Sequence, residues 1–335
     1  MSVKLIEVTR GDIAESIHRG DVAIVDYKGD LLYYAGNPHK VTYIRSAAKP
    51  IQALNVILSS AYKQYELSLK EIAVMCASHY GEDFHRETVE EILSKIGLNK
   101  EFILGGSVPS LSQEVALLQA WDNEYPDQLY SDCSGKHAGF LAVCRKKGYS
   151  VDDYLKAEHP VQKEVVDIIS KVCQYPKERI KLGVDGCSVP VHAFPLFNMA
   201  LGYARLAKPD NFQSDYEEAS EIVFKAMNQY PEMIAGTNGF CSQLIRNTNG
   251  KLIGKIGAEG VYCIGLKKEG IGIALKIEDG SMNRIPPAVL KILEDLDVLT
   301  KSELKALEKY SPMDNLNDKN IIVGEISANF KLEKV

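Results

Sequence analysis

The stretch Tyr43–Leu58, YIRSAAKPIQALNVIL, decides how the rest of the chain is read. It sets Ser46 three residues before Lys49, and residues at i and i+3 share a helix face. A serine hydroxyl is a poor nucleophile until a neighbour takes its proton. A lysine can do so if burial or a second cation lowers its pKa. Arg45 is such a cation, or else a clamp for a substrate carboxylate. Pro50 is compatible with a first turn, whose amide N–H groups have no intrahelical partner. Ile51, Leu54, Ile57 and Leu58 continue one apolar face, which roots the turn in a core. On its own S-x-x-K also describes a capping serine beside a solvated lysine, so the remaining residues have to discriminate.

Upstream, residues 2–9 alternate weakly and read as a strand. Asp21–Tyr27 and Leu31–Ala35 read as two more, joined by the turn Lys28-Gly29-Asp30. The spacing predicts a helix over about 46–60. A second runs from about Leu69 into Cys76-Ala77-Ser78-His79-Tyr80-Gly81. A third, over Asp83–Ile96, has one face of Val89, Ile92, Leu93 and Ile96 and ends at Gly97. Gly105–Ser112 is a loop by composition. Helices are expected at 113–121, 136–147, 160–173, 193–206 and 213–228. Two islands of small and polar residues interrupt them, SDCSGKHAG (131–139) and GVDGCSVPVH (183–192). Strands return at Leu252–Gly257, Gly260–Leu266 and Ile271–Ile277, followed by a helix at Pro286–Leu296. Strands, then helices, then strands indicate an α+β protein with an antiparallel sheet formed by both chain ends. The expected division is 1–65 together with 235–335 as the sheet domain and 66–234 as a mostly helical one.

The chain has 335 residues, enough for a sizeable core. Its net charge of -6 and the lack of a long Lys/Arg run argue against a nucleic-acid partner. No apolar run approaches the ~20 residues of a membrane span, and the opening residues have no apolar stretch of signal-peptide length. Seven widely spread cysteines do not resemble a disulfide framework, and a reducing cytoplasm is the natural setting.

Several side chains carry both an ordinary and a chemical reading. Ser78 is a helix-terminal serine bonded to local backbone, or a second hydroxyl facing Ser46. Cys133 and Cys187 are small buried residues, or thiolates favoured by polar neighbours. As thiolates they would hold a soft divalent metal such as zinc, with His137 or Lys136 as a third ligand. Lys255 is a solvent-facing strand lysine, or a second base reached from the sheet side of a cleft. Gly236-Thr237-Asn238-Gly239 is a turn, or a source of N–H groups for an oxyanion. Histidines 18, 39, 79, 85, 159 and 192 show no metal-ligand spacing and read as structural.

Taken in order, EVTRGDIAESIHRG, IRSAAKPIQAL, CASHYGEDFH, CSGKHAGFLA, GVDGCSVPVHAFPLFNMA, MIAGTNGFC and GAEGVYC resemble the rhizobial-type asparaginase II family, the third structural class of L-asparaginases. The resemblance implies a serine-β-lactamase-like fold, shared with serine-dependent glutaminases, and a homodimer. It implies hydrolysis of L-asparagine to L-aspartate and ammonia. By the same resemblance Ser46 and Lys49 form the nucleophilic pair, and Ser78 with Lys255 a second Ser-Lys pair. Cys133, Lys136 and Cys187 would bind zinc, with Asp185 nearby through water, and Arg45 and His137 would stand near the substrate. The expected mechanism has a neutral Lys49 deprotonating Ser46, an acyl-enzyme, and Ser78 with Lys255 relaying a proton. The alternatives are a glutaminase or another serine acyl hydrolase of the same fold, and a non-catalytic, zinc-stabilised amino-acid-binding protein.

Overall fold

In the computed structural model, which describes residues 1–121, 125–210 and 212–335, one large antiparallel sheet gathers strands from both parts of the chain. Its members are β1 (Val3–Arg10), β2 (Ile13–Asp26) and β3 (Leu31–Ala35), then β7 (Leu252–Gly257), β8 (Val261–Leu266) and β9 (Ile271–Ile277), and finally β10 (Met313–Leu316), β11 (Ile322–Ala328) and β12 (Glu333–Lys334). The order is β10-β11-β1-β2-β9-β8-β7, with β3 beside β2 and β12. The closure comes from β2 pairing with β9, from Gly20 opposite Ile277 to Asp26 opposite Ile271. A smaller sheet joins β4 (Val41–Tyr43), β5 (Lys181–Val184) and β6 (Pro190–Pro195) in the order β4-β6-β5.

The central strands are apolar without alternation because both faces are covered. Every residue of β8 is buried. The helix Leu196–Ala207 lies across β8 and β9, and it approaches so closely that side chains are excluded beneath it. A Cβ on Gly272 would fall 1.8 Å from the Ala200 carbonyl oxygen, and one on Gly265 would fall 2.4 Å from that of Tyr203. Leu69–Met75, Ser134–Lys147, Pro160–Val172 and Ser214–Gln229 pack around the buried helix Lys49–Leu58, and Asp83–Lys95 packs on the first two of them.

Several sequence expectations are corrected. The helix expected over 46–60 is a 3₁₀ turn, Arg45–Ala48, followed by an α-helix from Lys49. The helix expected from 193 starts at Leu196, because Pro190–Pro195 is a strand. Pro195 disfavours the helical region for Phe194 before it and so keeps the chain extended. β2 begins at Ile13, eight residues before the apolar run, because its outer half projects beyond the core and shows no burial pattern. The short polar strands β10 and β12 carry no period that a sequence reading can detect.

Candidate active site

The Ser46 turn is built under constraint. Arg45 adopts φ +51°, a conformation costly for a side-chain-bearing residue and concentrated at functional sites. The Tyr203 hydroxyl, from the helix across the sheet, donates to the Ala47 carbonyl at 2.7 Å. The end of β7 presses on the turn from the other side, since a Cβ on Gly257 would lie 2.5 Å from the Ile44 carbonyl oxygen. A glycine is therefore required there for the strand to reach Ser46.

Ser46, Arg45, Ser78, Asp132, Cys133, Asp185 and Cys187 line one cavity of about 290 Å³, with Ile256 and Ala258 from the sheet side. Two separate elements aim at Ser78 in its wall. Lys49, buried on the helix after Ser46, donates to Ser78 Oγ at 3.0 Å. Lys255, fully buried on β7, places Nζ 2.8 Å from the same oxygen and donates to the Ile256 carbonyl at 2.9 Å. Lys49 also meets Asp132, at 3.2 Å to Oδ2 and 3.1 Å to its carbonyl oxygen.

The two lysines have opposite electrostatics. Burial works against the Lys49 ammonium, but Asp132 and then Cys133 outweigh it and raise its pKa. Asp132 answers in kind: burial would raise its carboxyl, yet Lys49 and other nearby positive charge bring it down to about 2. Among the described residues no carboxylate forms an ion pair with Lys255. Burial first, and the charge of Lys49 second, lower it to about 8. The expectation of a neutral Lys49 is thus corrected, because its ion pair with Asp132 keeps it protonated. The lysine close to neutrality is Lys255. Asp132 was missed from sequence, although it stands directly before Cys133; without the fold, nothing distinguishes it from other loop aspartates.

The other expected residues lie around this centre. Arg45 borders the cavity but is engaged with Asp185, Nε and Nη2 lying 2.9 and 2.8 Å from Oδ1. His137 is fully buried one layer back, behind Gly105, with Nδ1 2.7 Å from the Tyr154 hydroxyl. The 236–239 loop borders a neighbouring cavity instead, and Glu82 accepts both the Thr237 N–H at 2.9 Å and its hydroxyl at 2.6 Å. The Thr237 N–H is thus already engaged, away from the cavity that holds Ser46.

Lys136 donates to Cys187 Sγ at 2.8 Å. A hydrogen bond from the Cys133 thiol, followed by the positive charge of Lys136, holds Cys187 well below an ordinary thiol, and sharing that proton with burial raises Cys133. Among the described residues no three His, Cys, Asp or Glu side chains form a metal cluster. The donor set here is different: two sulfurs, one amine and a buried imidazole nitrogen, His137 Nε2, which has no hydrogen-bond partner among the described residues. Such donors fit zinc by chemical type.

The family model for L-asparaginase II matches residues 6–328. The chain belongs to the L-asparaginase II family. No curated protein matches its sequence significantly. Among solved structures, this asparaginase II chain is similar to a β-lactamase from Mycobacterium bovis, at 12% identity and TM-score 0.43, covering 82% of this chain and 94% of that one. Mglu in its native form gives 15% and 0.46, covering 90% and 71%. A class C β-lactamase from Rhodobacter sphaeroides gives 13% and 0.44, covering 83% and 94%. Family membership makes the chain an asparaginase-type amidohydrolase acting on a small molecule. Among the described residues no helix is long and apolar enough to cross a membrane.

Proposed function

We propose that this asparaginase II protein hydrolyses L-asparagine to L-aspartate and ammonia through an acyl-enzyme on Ser46. The observation that supports it best is that Ser46 and Ser78 line one cavity, while Lys49 and Lys255, the first raised and the second lowered in pKa, both bond to the Ser78 hydroxyl. Lys255, near neutrality, accepts a proton from Ser78. Ser78 in turn takes the proton of Ser46 as its oxygen attacks the side-chain amide carbon, and returns it to the departing ammonia. Lys49 remains an ammonium, and its charge stabilises the negative charge that develops at the two serines. Backbone N–H groups of the Ser46 turn and of β7 beyond Ile256 are the available donors for the oxyanion. Arg45, through its pair with Asp185, presents positive charge to a substrate carboxylate.

Cys133, Lys136 and Cys187 would hold zinc, and a zinc bearing two thiolates is already partly neutralised and suits orientation of the amino acid. Binding would require Lys136 to release its proton. The active form is proposed to be a homodimer in the cytoplasm.

Ammonia release from L-asparagine and from L-glutamine, by wild type and Ser46→Ala, tests the reading. Release from asparagine that the substitution abolishes supports it. Full activity in a folded Ser46→Ala variant would remove the nucleophile assignment. Preference for glutamine would make the protein a glutaminase, since one methylene is worth only about 1–3 kcal/mol in a pocket.

A further inference from the structure

His79 follows Ser78 directly and is fully buried, yet it has no part in the proton transfers above. Its bonding is directional. Nδ1 accepts the Gly81 N–H at 3.1 Å, so the neutral ring carries its proton on Nε2. That proton is donated to Ser134 Oγ at 2.8 Å, and the Ser134 hydroxyl donates onward to the Leu129 carbonyl at 3.2 Å. The chain of bonds runs from the loop that carries Ser78 to the segment that carries Asp132, two residues before Ser134. On its other side the ring stacks on His85 with centroids 5.0 Å apart, and His85 Nε2 lies 3.2 Å from the Glu232 carbonyl oxygen. Close by, the Ser78 N–H donates to the Ile234 carbonyl at 3.0 Å. The imidazole is therefore wedged between two fixed supports. Burial, with the charges of His85 and Lys49 against that of Asp132, keeps it neutral.

We propose that His79 is a positioning residue whose bond to Ser134 sets the spacing between Ser78 and Asp132. That spacing decides whether one ammonium, Lys49, can bond to both. The inference rests on the reading of Ser78 and Lys49 given above.

Three variants test it. His79→Asn places an amide oxygen where Nδ1 was and keeps the Gly81 bond, but it is too short to reach Ser134. His79→Gln reaches the Nε2 position and restores the bond to Ser134. Ser134→Ala removes the acceptor from the other end, together with its bond to the Leu129 carbonyl. Expected are a fall in kcat of about tenfold or more for His79→Asn and Ser134→Ala, with KM within about threefold of wild type, and near-complete rescue in His79→Gln. The double variant His79→Asn/Ser134→Ala should be no worse than either single one, since both break the same bond. Unchanged kcat per folded molecule, with only the melting temperature lowered, or losses that multiply in the double variant, would overturn the proposal.

A second measurement is independent of turnover. Nitrogen NMR of the imidazole should show the Nε2–H tautomer throughout pH 5–8, with faster solvent exchange of that proton in Ser134→Ala. A ring that titrates across this range overturns the tie. Wild type that releases no ammonia from any amide instead overturns the enzymatic reading, and the NMR result then decides the tie by itself.

Discussion

Lys49 Nζ lies 3.2 Å from Asp132 Oδ2, and this contact separates the duties of the two buried lysines. Asp132 raises the pKa of Lys49, and after burial the charge of Lys49 helps to lower that of Lys255. Asp132→Asn would leave a buried ammonium without its counter-charge. Loss of roughly 3 kcal/mol of stability is expected, the cost of breaking a buried pair from one side. Urea unfolding at pH 7 measures it, and an unchanged midpoint would mean that Lys49 has another partner.

The same pair predicts acid behaviour. The Asp132 carboxyl is lowered from 3.8 to about 2 in the fold. Its contribution to stability is therefore complete above the unfolded value and is lost as pH falls from about 4 to about 2. Asp132→Asn should flatten the stability curve in that window, as followed by unfolding at successive pH values.

Lys255 controls the alkaline side. For it to act as a base it must be neutral, so kcat/KM should rise with pH and level off above about 8. Between about 8 and 10.5 the unfolded chain holds a proton at this site that the folded one does not. Stability from this group accordingly increases with pH across that range. Lys255→Met should remove the limb at about 8 together with most of the activity. A limb that survives the substitution belongs to another group.

Ser78 and Lys255 form one unit in the proposed mechanism, their polar atoms 2.8 Å apart. Ser78→Ala and Lys255→Ala should each lower kcat by roughly 10²–10⁴-fold, and the double variant should lose little more. Multiplying losses would show that the two act in separate steps.

The cysteine pair yields a test of metal binding that does not depend on turnover. Without metal, the Cys187 thiolate at the cavity wall should be alkylated by iodoacetamide at pH 6, ahead of the other six cysteines. One equivalent of zinc should protect it and stabilise the fold against heat. Alkylation at an undiminished rate in the presence of zinc would exclude this donor set.

What the sequence made legible follows from how each feature is encoded. Long apolar faces, such as that of Asp83–Lys95, and the almost entirely buried strands β7–β9 print their burial directly into residue type. Ser46, Ser78 and Lys255 stand in local motifs that a sequence reading can single out as candidates. Asp132 is not so marked, because its importance lies in a contact with Lys49 across 83 positions. The protonation of Lys49 was misjudged for the same reason: burial alone lowers a lysine, and the counter-charge that reverses the sign is contributed by a different loop. The strand Pro190–Pro195 stayed hidden because its partners, β4 and β5, are short and one of them lies far away in the chain.

Lys255 is carried by a strand that joins the sheet through β8 and β9, and β9 is anchored by β2. On the proposed mechanism, Ser46 can therefore be synthesised, and the helix after it formed, long before Lys255 stands opposite it. Chemistry must wait for a pairing between segments some 250 residues apart, a connection of the kind that slows folding. A partly synthesised chain thus carries a harmless serine, and the reactive state arises only once the last central strands have docked.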